Sequence, residues 1–462
     1  MLPAALALLA VSACLLPRAD AVPDYSLDSV VRFNIQNESD ATLLRSFLQS
    51  RHNDLHTALW SHSIGIGAVD VQLPVRAEPL SILSQIDNTV YIPNVQAVLQ
   101  EDNLAPVPRI FAAATNASVP TASTWRNSSF FDNYQSYSDI IAYYESLPNL
   151  QKTSIGLSYL GTPIYAFSFG SGSRSIFYQG GIHAREWISH STTAYITSSL
   201  VLDDGLAATL RSQFKFFVIP TLNVDGYNYT RTVDRMWRKN LEPNNGSSCI
   251  GTDLNRNFDT AWDQPGHGIS PCDEDYSGPS AASATETQLL KTFISGLPNP
   301  FGLMDFHSYS QLWMYPYGAY CNRTIPEGPL LQNASIIATS IIANRSKTYY
   351  QYGPTCNTIY QASGTLLDYG YVSGNIKYSL TVELPDQGTY GFLLPPSFIR
   401  SVGEDTTQAF VAMWSYLNDP SSASVVSSPA AASHSRSTTF SSTVAHFMVA
   451  LLAAALLSRR II

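Results

Sequence analysis

Positive charge is scarce in this chain. Its 26 Lys and Arg stand against 35 Asp and Glu, a formal net charge of -9. Nucleic-acid binding depends on clustered Lys and Arg that neutralise phosphates, and neither a basic face nor a nucleic-acid motif is present, so that partner class is excluded. Long apolar runs are missing too. The two apolar blocks, residues 1–16 and 447–457, fall short of the roughly 20 residues of a comfortable membrane span. Two common zinc signatures are absent, the contiguous H-E-x-x-H pair on a helix and paired C-x-x-C spacing. Cysteine is rare, 5 in 462 residues.

What is present reads as globular: 45% hydrophobic and 13% charged residues supply ample core, and the length suggests two or three domains. The first block, followed by the small-x-small triplet Ala19-Asp20-Ala21, fits a signal peptide over residues 1–21, although a positive n-region is missing. Eight N-x-S/T sequons, at Asn37, Asn116, Asn127, Asn228, Asn245, Asn322, Asn333 and Asn344, agree with secretion. Cys14 falls inside the presumed signal, which leaves Cys249, Cys272, Cys321 and Cys356, an even number that suggests two disulfides. Pairing Cys249 with Cys272 is favoured because a short loop closes cheaply, with Cys321 and Cys356 paired by elimination.

Residues 22–103 alternate strand and helix signals. Val31, Phe33 and Ile35 alternate as in a half-buried strand; Leu43, Leu44, Phe47 and Leu48 line a helix face; Val69, Val71, Leu73 and Val75 alternate again, before a helical pattern over 79–86 and a strand around 90–92. The order suggests a small ferredoxin-like α+β unit, with only one of its two middle strands clear. Residues 105–129 are rich in Pro, Ala, Ser, Thr and Asn, a linker of the kind proteases cut. From there to residue 419, strand candidates at 164–169, 175–179, 214–220, 300–305 and 376–383 alternate with helices such as 136–147 and 333–348, the pattern of a mixed, mostly parallel α/β sheet covered on both faces. The tail, 420–462, is Ser- and Ala-rich. Its small residues Ala431-Ala432-Ser433, polar spacer and apolar end fit a GPI-type lipid-anchor signal, while Arg459-Arg460 fits a short membrane anchor with a basic flank.

The stretch Gly180-Gly181-Ile182-His183-Ala184-Arg185-Glu186-Trp187 sets an imidazole and a carboxylate three residues apart, at the carboxyl end of the strand 175–179. Open α/β sheets place their crevices there. A hydrogen-bonded loop histidine beside an acidic first-turn residue is the plain alternative for this pair. His307 ends another apolar strand and can complete a set of two His and one Glu, leaving a fourth metal position open as catalytic zinc requires. Glu383 closes a third strand, where a carboxylate can accept a proton from a bound water.

Together with Arg235-Met236-Trp237-Arg238-Lys239-Asn240, Asp253-Leu254-Asn255-Arg256-Asn257, Asp305-Phe306-His307-Ser308-Tyr309-Ser310-Gln311, Thr358-Ile359-Tyr360-Gln361-Ala362-Ser363-Gly364 and residues 377–384, these stretches resemble the zinc metallocarboxypeptidases of the A/B subfamily, in that family's order. The resemblance implies an exopeptidase acting on peptide and protein C-termini, with one zinc ion held by His183, Glu186 and His307. Glu383 would be general base and acid, and Arg238 would stabilise the oxyanion. Asn255, Arg256 and Tyr360 would hold the terminal carboxylate, since a guanidinium grips a carboxylate bidentately. Arg185, Arg235 and Tyr309 match further substrate-binding positions. Leu367 matches the floor of the side-chain pocket, beside Gly318, Thr355, Ile359, Ala362 and Thr381, and implies an A-like preference for apolar or aromatic ends, because an unpaired Lys or Arg charge against Leu is expensive. Thr355 is more polar than an apolar slot calls for, and Asp368, one place from the floor, matches a position acidic throughout the family. The resemblance also implies that residues 22–118 form an inhibitory pro-domain and linker, that 119–419 form the catalytic domain, and that an endoprotease activates the chain by a cut in the linker; the bond is not fixed by the sequence, and Arg109 is one trypsin-type candidate. The family's disulfide matches Cys249 with Cys272, and Pro385 stands where relatives commonly carry Arg. A secreted or cell-surface monomer is expected. The competing readings are a module that binds C-termini without cutting, a deacylase or amidase on a related fold, and a preference for basic or acidic terminal residues.

Overall fold

The structure is a computed structural model that describes residues 24–51, 57–61, 64, 66–74, 83–101 and 120–422. The presumed signal, Cys14, Arg109, Asn116 and the tail from residue 423 onward lie outside the described residues.

An eight-stranded sheet, ordered β11-β10-β12-β9-β7-β8-β6-β5, is the scaffold of the main domain. Its centre is four parallel strands: β12 (Tyr378–Leu384), β9 (Pro300–Ser308), β7 (Arg174–Gly180) and β8 (Phe214–Ile219). On one side β6 (Pro163–Phe169) and β5 (Gln151–Leu157) add antiparallel; on the other, β10 (Leu312–Tyr315) runs antiparallel to β12 and parallel to β11 (Gln351–Pro354). A parallel strand covered on both faces reads as a continuous apolar run. In β7, Tyr178 turns one way onto Phe410 of the helix Ile399–Asn418, at 5.4 Å between ring centroids. Phe177 turns the other way onto Phe293 of the helix Thr285–Ser295, at 5.6 Å. Helices therefore cover both faces, as expected, and every strand anticipated in this domain is present. The strands with no forecast, β5, β10 and β11, are outer strands, and β5 is largely exposed, so no apolar alternation marks it. Trp125 and Phe131 are buried in the main core, so the Ser- and Asn-rich character of 120–129 belongs to the edge of this domain as much as to a linker.

The N-terminal sheet is antiparallel, ordered β2-β3-β1-β4, from β1 (Asp28–Ile35), β2 (Ala58–Leu59), β3 (Gly67–Pro74) and β4 (Asn88–Ile92). The helix Glu38–Ser50 joins β1 to β2, capped by the Asn37 side chain accepting from the Asp40 amide. The middle strand that the pattern left unclear is two residues long, too short to show periodicity. Of the helix expected over 79–86, residues 79–82 lie outside the described residues, and 83–86 are turns and bends.

Candidate active site

Three adjacent parallel strands deliver the reacting groups. His307 is next to last in β9, and Glu383 stands opposite it in the β12 register. His183 follows β7 by three residues across Gly181, whose φ of +67° and close approach to the His190 ring exclude a side chain there. Glu186 opens the helix Trp187–Leu202. His183, Glu186 and His307 are all buried. His183 Nδ1 lies 2.8 Å from Glu186 Oε1, and His307 Nδ1 lies 3.1 Å from Glu186 Oε2 and 3.1 Å from His183 Nδ1. The set of three donor atoms falls within 4.8 Å of one another.

The outer nitrogens explain why this set fits a cation. His183 Nε2 contacts Asp253 Oδ1 at 3.0 Å and His307 Nε2 contacts Asp305 Oδ2 at 2.7 Å. A carboxylate accepts, so each neutral ring carries its proton on Nε2 and turns the Nδ1 lone pair inward. Two lone pairs and a carboxylate facing one another at contact distance are the donor set of a catalytic zinc, imidazole nitrogens with one oxygen. Asp253, Asp305 and Glu186 against the single guanidinium of Arg238 leave two formal negative charges, which one divalent ion balances.

Arg238 is fully buried and held by Asp253, whose Oδ2 accepts from Nε at 3.0 Å and Nη2 at 2.8 Å, while Nη1 lies 3.6 Å from Glu186. Burial works against its charge, but Asp253 and Glu186 outweigh it and keep the guanidinium ionised more firmly than usual. One crevice is lined by His183, His307, Arg238, Glu383, Asn255, Arg256, Tyr360 and Leu367, with Met314, Thr355, Ile359, Ala362, Thr365 and Thr381. Arg256 Nη1 donates to Asn255 O at 2.8 Å and Nη2 lies 3.4 Å from the Tyr360 hydroxyl, while its buried Nε has no partner among the described residues. Thr355 donates its hydroxyl to Tyr315 O at 3.1 Å, which disposes of its polarity and leaves a methyl for the slot. Asp368 does not line the crevice: its oxygens accept from the Gly318 and Ala319 amides at 3.0 and 2.9 Å, and burial pushes its carboxyl up to about 6. Pro385 follows β12 without disturbing Glu383, and the next residue, Asp386, accepts from the Gly388, Tyr390 and Gly391 amides.

Arg185, Arg235 and Tyr309 are not among the residues lining that crevice; Tyr309 meets the N-terminal sheet directly, and Arg185 and Arg235 both contact Phe392, on which Trp60 rests. Arg185 is fully buried, bonded to Met236 O and to Glu274 at 3.1 Å, beneath the Phe392 ring; burial, only partly offset by Glu274, holds its guanidinium below the usual range. Arg235 donates to Arg185 O and Phe392 O over the Trp187 ring. The Tyr309 hydroxyl donates to Asp70 Oδ2 at 2.9 Å, and Asp70 in turn takes both arms of Arg32, its β1 register partner. Trp60 rests on Phe392, and Tyr25 donates to Asp234 at 3.0 Å. Two groups escaped sequence reasoning, Asp253 and Asp305. Asp305 had a legible signal, two residues before His307 on the same strand face; Asp253 had none, being 70 residues from the histidine it holds. Both disulfides expected, Cys249–Cys272 and Cys321–Cys356, are present.

Known proteins agree with this geometry. The zinc carboxypeptidase family model matches residues 137–409, more than half of the chain. The chain is 33% identical to carboxypeptidase A4 of Mus musculus over 412 residues, 85% of this chain and 94% of the relative. It is 33% identical to carboxypeptidase B of Homo sapiens over 402 residues, 84% and 93%. Its fold is similar to the crystal structure of thrombin activatable fibrinolysis inhibitor, with a TM-score of 0.72 and 28% identity over 85% of this chain and 99% of that one. With the ligand trio clustered beside the opposed glutamate and the family model matching residues 137–409, this chain belongs to the zinc carboxypeptidases.

Proposed function

We propose that this carboxypeptidase removes apolar and aromatic residues from peptide C-termini and is made as a zymogen. The observation that carries the reading is a single crevice lined at once by ligand histidines, Glu383 and Arg238, by Asn255, Arg256 and Tyr360, and by the apolar floor Leu367. Relatives named A and B match at the same identity, so the side-chain preference rests on that floor rather than on likeness. Leu367 is 2% exposed, and the neighbouring acid Asp368 has both oxygens committed to backbone amides, so neither offers a carboxylate to a basic side chain at the floor.

Arg256, with Asn255 and Tyr360, binds the terminal carboxylate and so selects the last peptide bond. His183, Glu186 and His307 would hold the zinc ion, which when bound would supply Lewis-acid polarisation and acidify a water at neutral pH. Glu383 takes the attacking water's proton and returns it to the leaving amine. Arg238, locked by Asp253 before substrate arrives, donates to the developing oxyanion, and preorganised donors of this kind are worth roughly 10²–10³ in rate. Arg185, Arg235 and Tyr309 extend the site toward the rest of the peptide; the contacts of Asp70 with Tyr309, Trp60 with Phe392 and Tyr25 with Asp234 support residues 22–118 as an inhibitory pro-domain and linker, removed from the domain 119–419 by an endoprotease. The seven sequon asparagines among the described residues are all exposed, which supports a secreted glycoprotein. Surface attachment through the tail rests on its sequence alone. The test is amino-acid release from short peptides ending in Phe, Leu, Lys or Glu, using linker-cleaved protein, a chelator and Glu383→Gln as controls. Release of Phe and Leu that vanishes in both controls is the expected result; release of Lys overturns the pocket, and no release from zinc-loaded protein favours a binding module.

A further inference from the structure

We infer that Asp305 is a positioning residue for the zinc centre: its carboxylate fixes the His307 ring so that Nδ1, not Nε2, is the donor. The inference rests on the metal reading of His183, Glu186 and His307 and adds a residue to it.

Asp305 is fully buried in β9, two residues before His307 and so on the same face of the strand. Its two oxygens are divided. Oδ2 meets His307 Nε2 at 2.7 Å, and Oδ1 accepts from the Gln179 amide at 3.1 Å, Gln179 being its register partner across β7 and β9. A buried carboxylate without a donor is costly, so this one is anchored by Gln179 on one side and takes an N–H from His307 on the other. Among the described residues, the other polar atom at His307 Nε2 is Asn255 Nδ2, at 3.3 Å. Asn255 accepts the Leu366 amide with its Oδ1, which fixes the side-chain orientation and leaves Nδ2, a donor, facing the ring. A donor cannot take the Nε2 proton, so of these two groups Asp305 does. The arrangement repeats at His183, where Asp253 plays the same part from a loop. Both imidazoles then carry a carboxylate behind them, which orients each ring and raises its basicity as a ligand; losing such a partner typically costs 10–100-fold in metal affinity.

The experiment measures zinc affinity by chelator competition on the full chain, for the parent, Asp305→Asn and Asp305→Ser. Zinc content of the parent is read first: a parent that binds no zinc removes the metal centre itself, and with it this proposal. With zinc bound, Asp305→Ser is expected to weaken affinity roughly 10-fold or more, and Asp305→Asn, which keeps a neutral acceptor, by less. The melting temperature of the chelated Asn variant should stay close to that of the chelated parent, since a purely structural role would lower it while leaving zinc affinity alone. Nitrogen-15 spectra of labelled histidine in the zinc-loaded parent give a measurement that needs no variant, and should show the His307 proton on Nε2. Zinc affinity within twofold of the parent in both variants, or a proton on Nδ1 of His307, overturns the assignment.

Discussion

Leu367→Asp tests the reasoning about substrate choice most directly. On the proposed reading, a terminal Phe would enter the slot lined by Leu367, Ile359, Ala362 and Met314, where the Thr355 hydroxyl is turned away onto Tyr315 O. Burying such a ring contributes about 2–3 kcal/mol. A terminal Lys in the same slot would find Leu367 at the floor and Asp368 committed to backbone amides, and an unpaired buried charge costs several kcal/mol. A difference of about 4 kcal/mol corresponds to about a thousandfold in kcat/KM, at 1.36 kcal/mol per tenfold. The variant reverses both contributions, removing the apolar floor and supplying a counter-charge for Lys. The new carboxylate adjoins Asp368, already pushed up to about 6 by burial, so the gain for Lys should grow as pH rises above neutrality. The assay is kcat/KM on paired N-blocked dipeptides ending in Phe or Lys, from pH 6 to 9. A parent preference for Phe near a thousandfold, falling below one in the variant, is the expected result. A Phe-to-Lys ratio that changes less than threefold would refute the pocket argument, because a 2%-exposed floor residue must then lie outside the bound side chain's reach.

Arg256→Ala should lower kcat/KM about 10²-fold or more, mainly through KM, since charge-assisted hydrogen bonds to the carboxylate contribute about 1.5–3 kcal/mol each; an unchanged KM would remove Arg256 from the clamp. Asp70→Asn takes the charge from the contact between Tyr309 and Arg32, and the uncleaved chain should gain about tenfold in activity if the N-terminal sheet restrains the site. Burial holds the His190 imidazole down at about 3, despite its bond to Pro220 O, so the unfolded chain binds more protons between pH 3 and 6.5. Stability is therefore lost as pH falls through that window, by roughly 4 kcal/mol from this group, and His190→Gln should flatten the slope when chelated parent and variant are unfolded by urea from pH 4 to 7. Parallel slopes would contradict the shift.

Residues near one another in sequence, or repeating at the period of an element, were readable in advance. The apolar runs of β7, β9 and β12 announced buried parallel strands, and chemistry-bearing residues at their carboxyl ends, His183, His307 and Glu383, announced a crevice. The alternation in β1 and β3 announced a half-buried antiparallel sheet. Edge strands were not readable: β5 is exposed, β2 is two residues long, and neither carries a period. The number of cysteines and the short spacing of Cys249 from Cys272 were enough to pair all four.

The metal-ligand trio was thus legible in the sequence, and so were the candidates proposed for the proton acceptor, the clamp and the pocket floor, because each stands in a short motif whose residue types carry the chemistry. Only the tertiary structure decided what stands behind them. Asp253 reaches His183 and Arg238 from a distant loop, Asp305 is tied to Gln179 across two strands, Thr355 spends its hydroxyl on Tyr315, Arg235 donates to Arg185 O, and Tyr309 meets the N-terminal sheet. These are hydrogen bonds and contacts between groups 15 to 239 residues apart, formed because a buried polar group must find a partner wherever the folded chain supplies one.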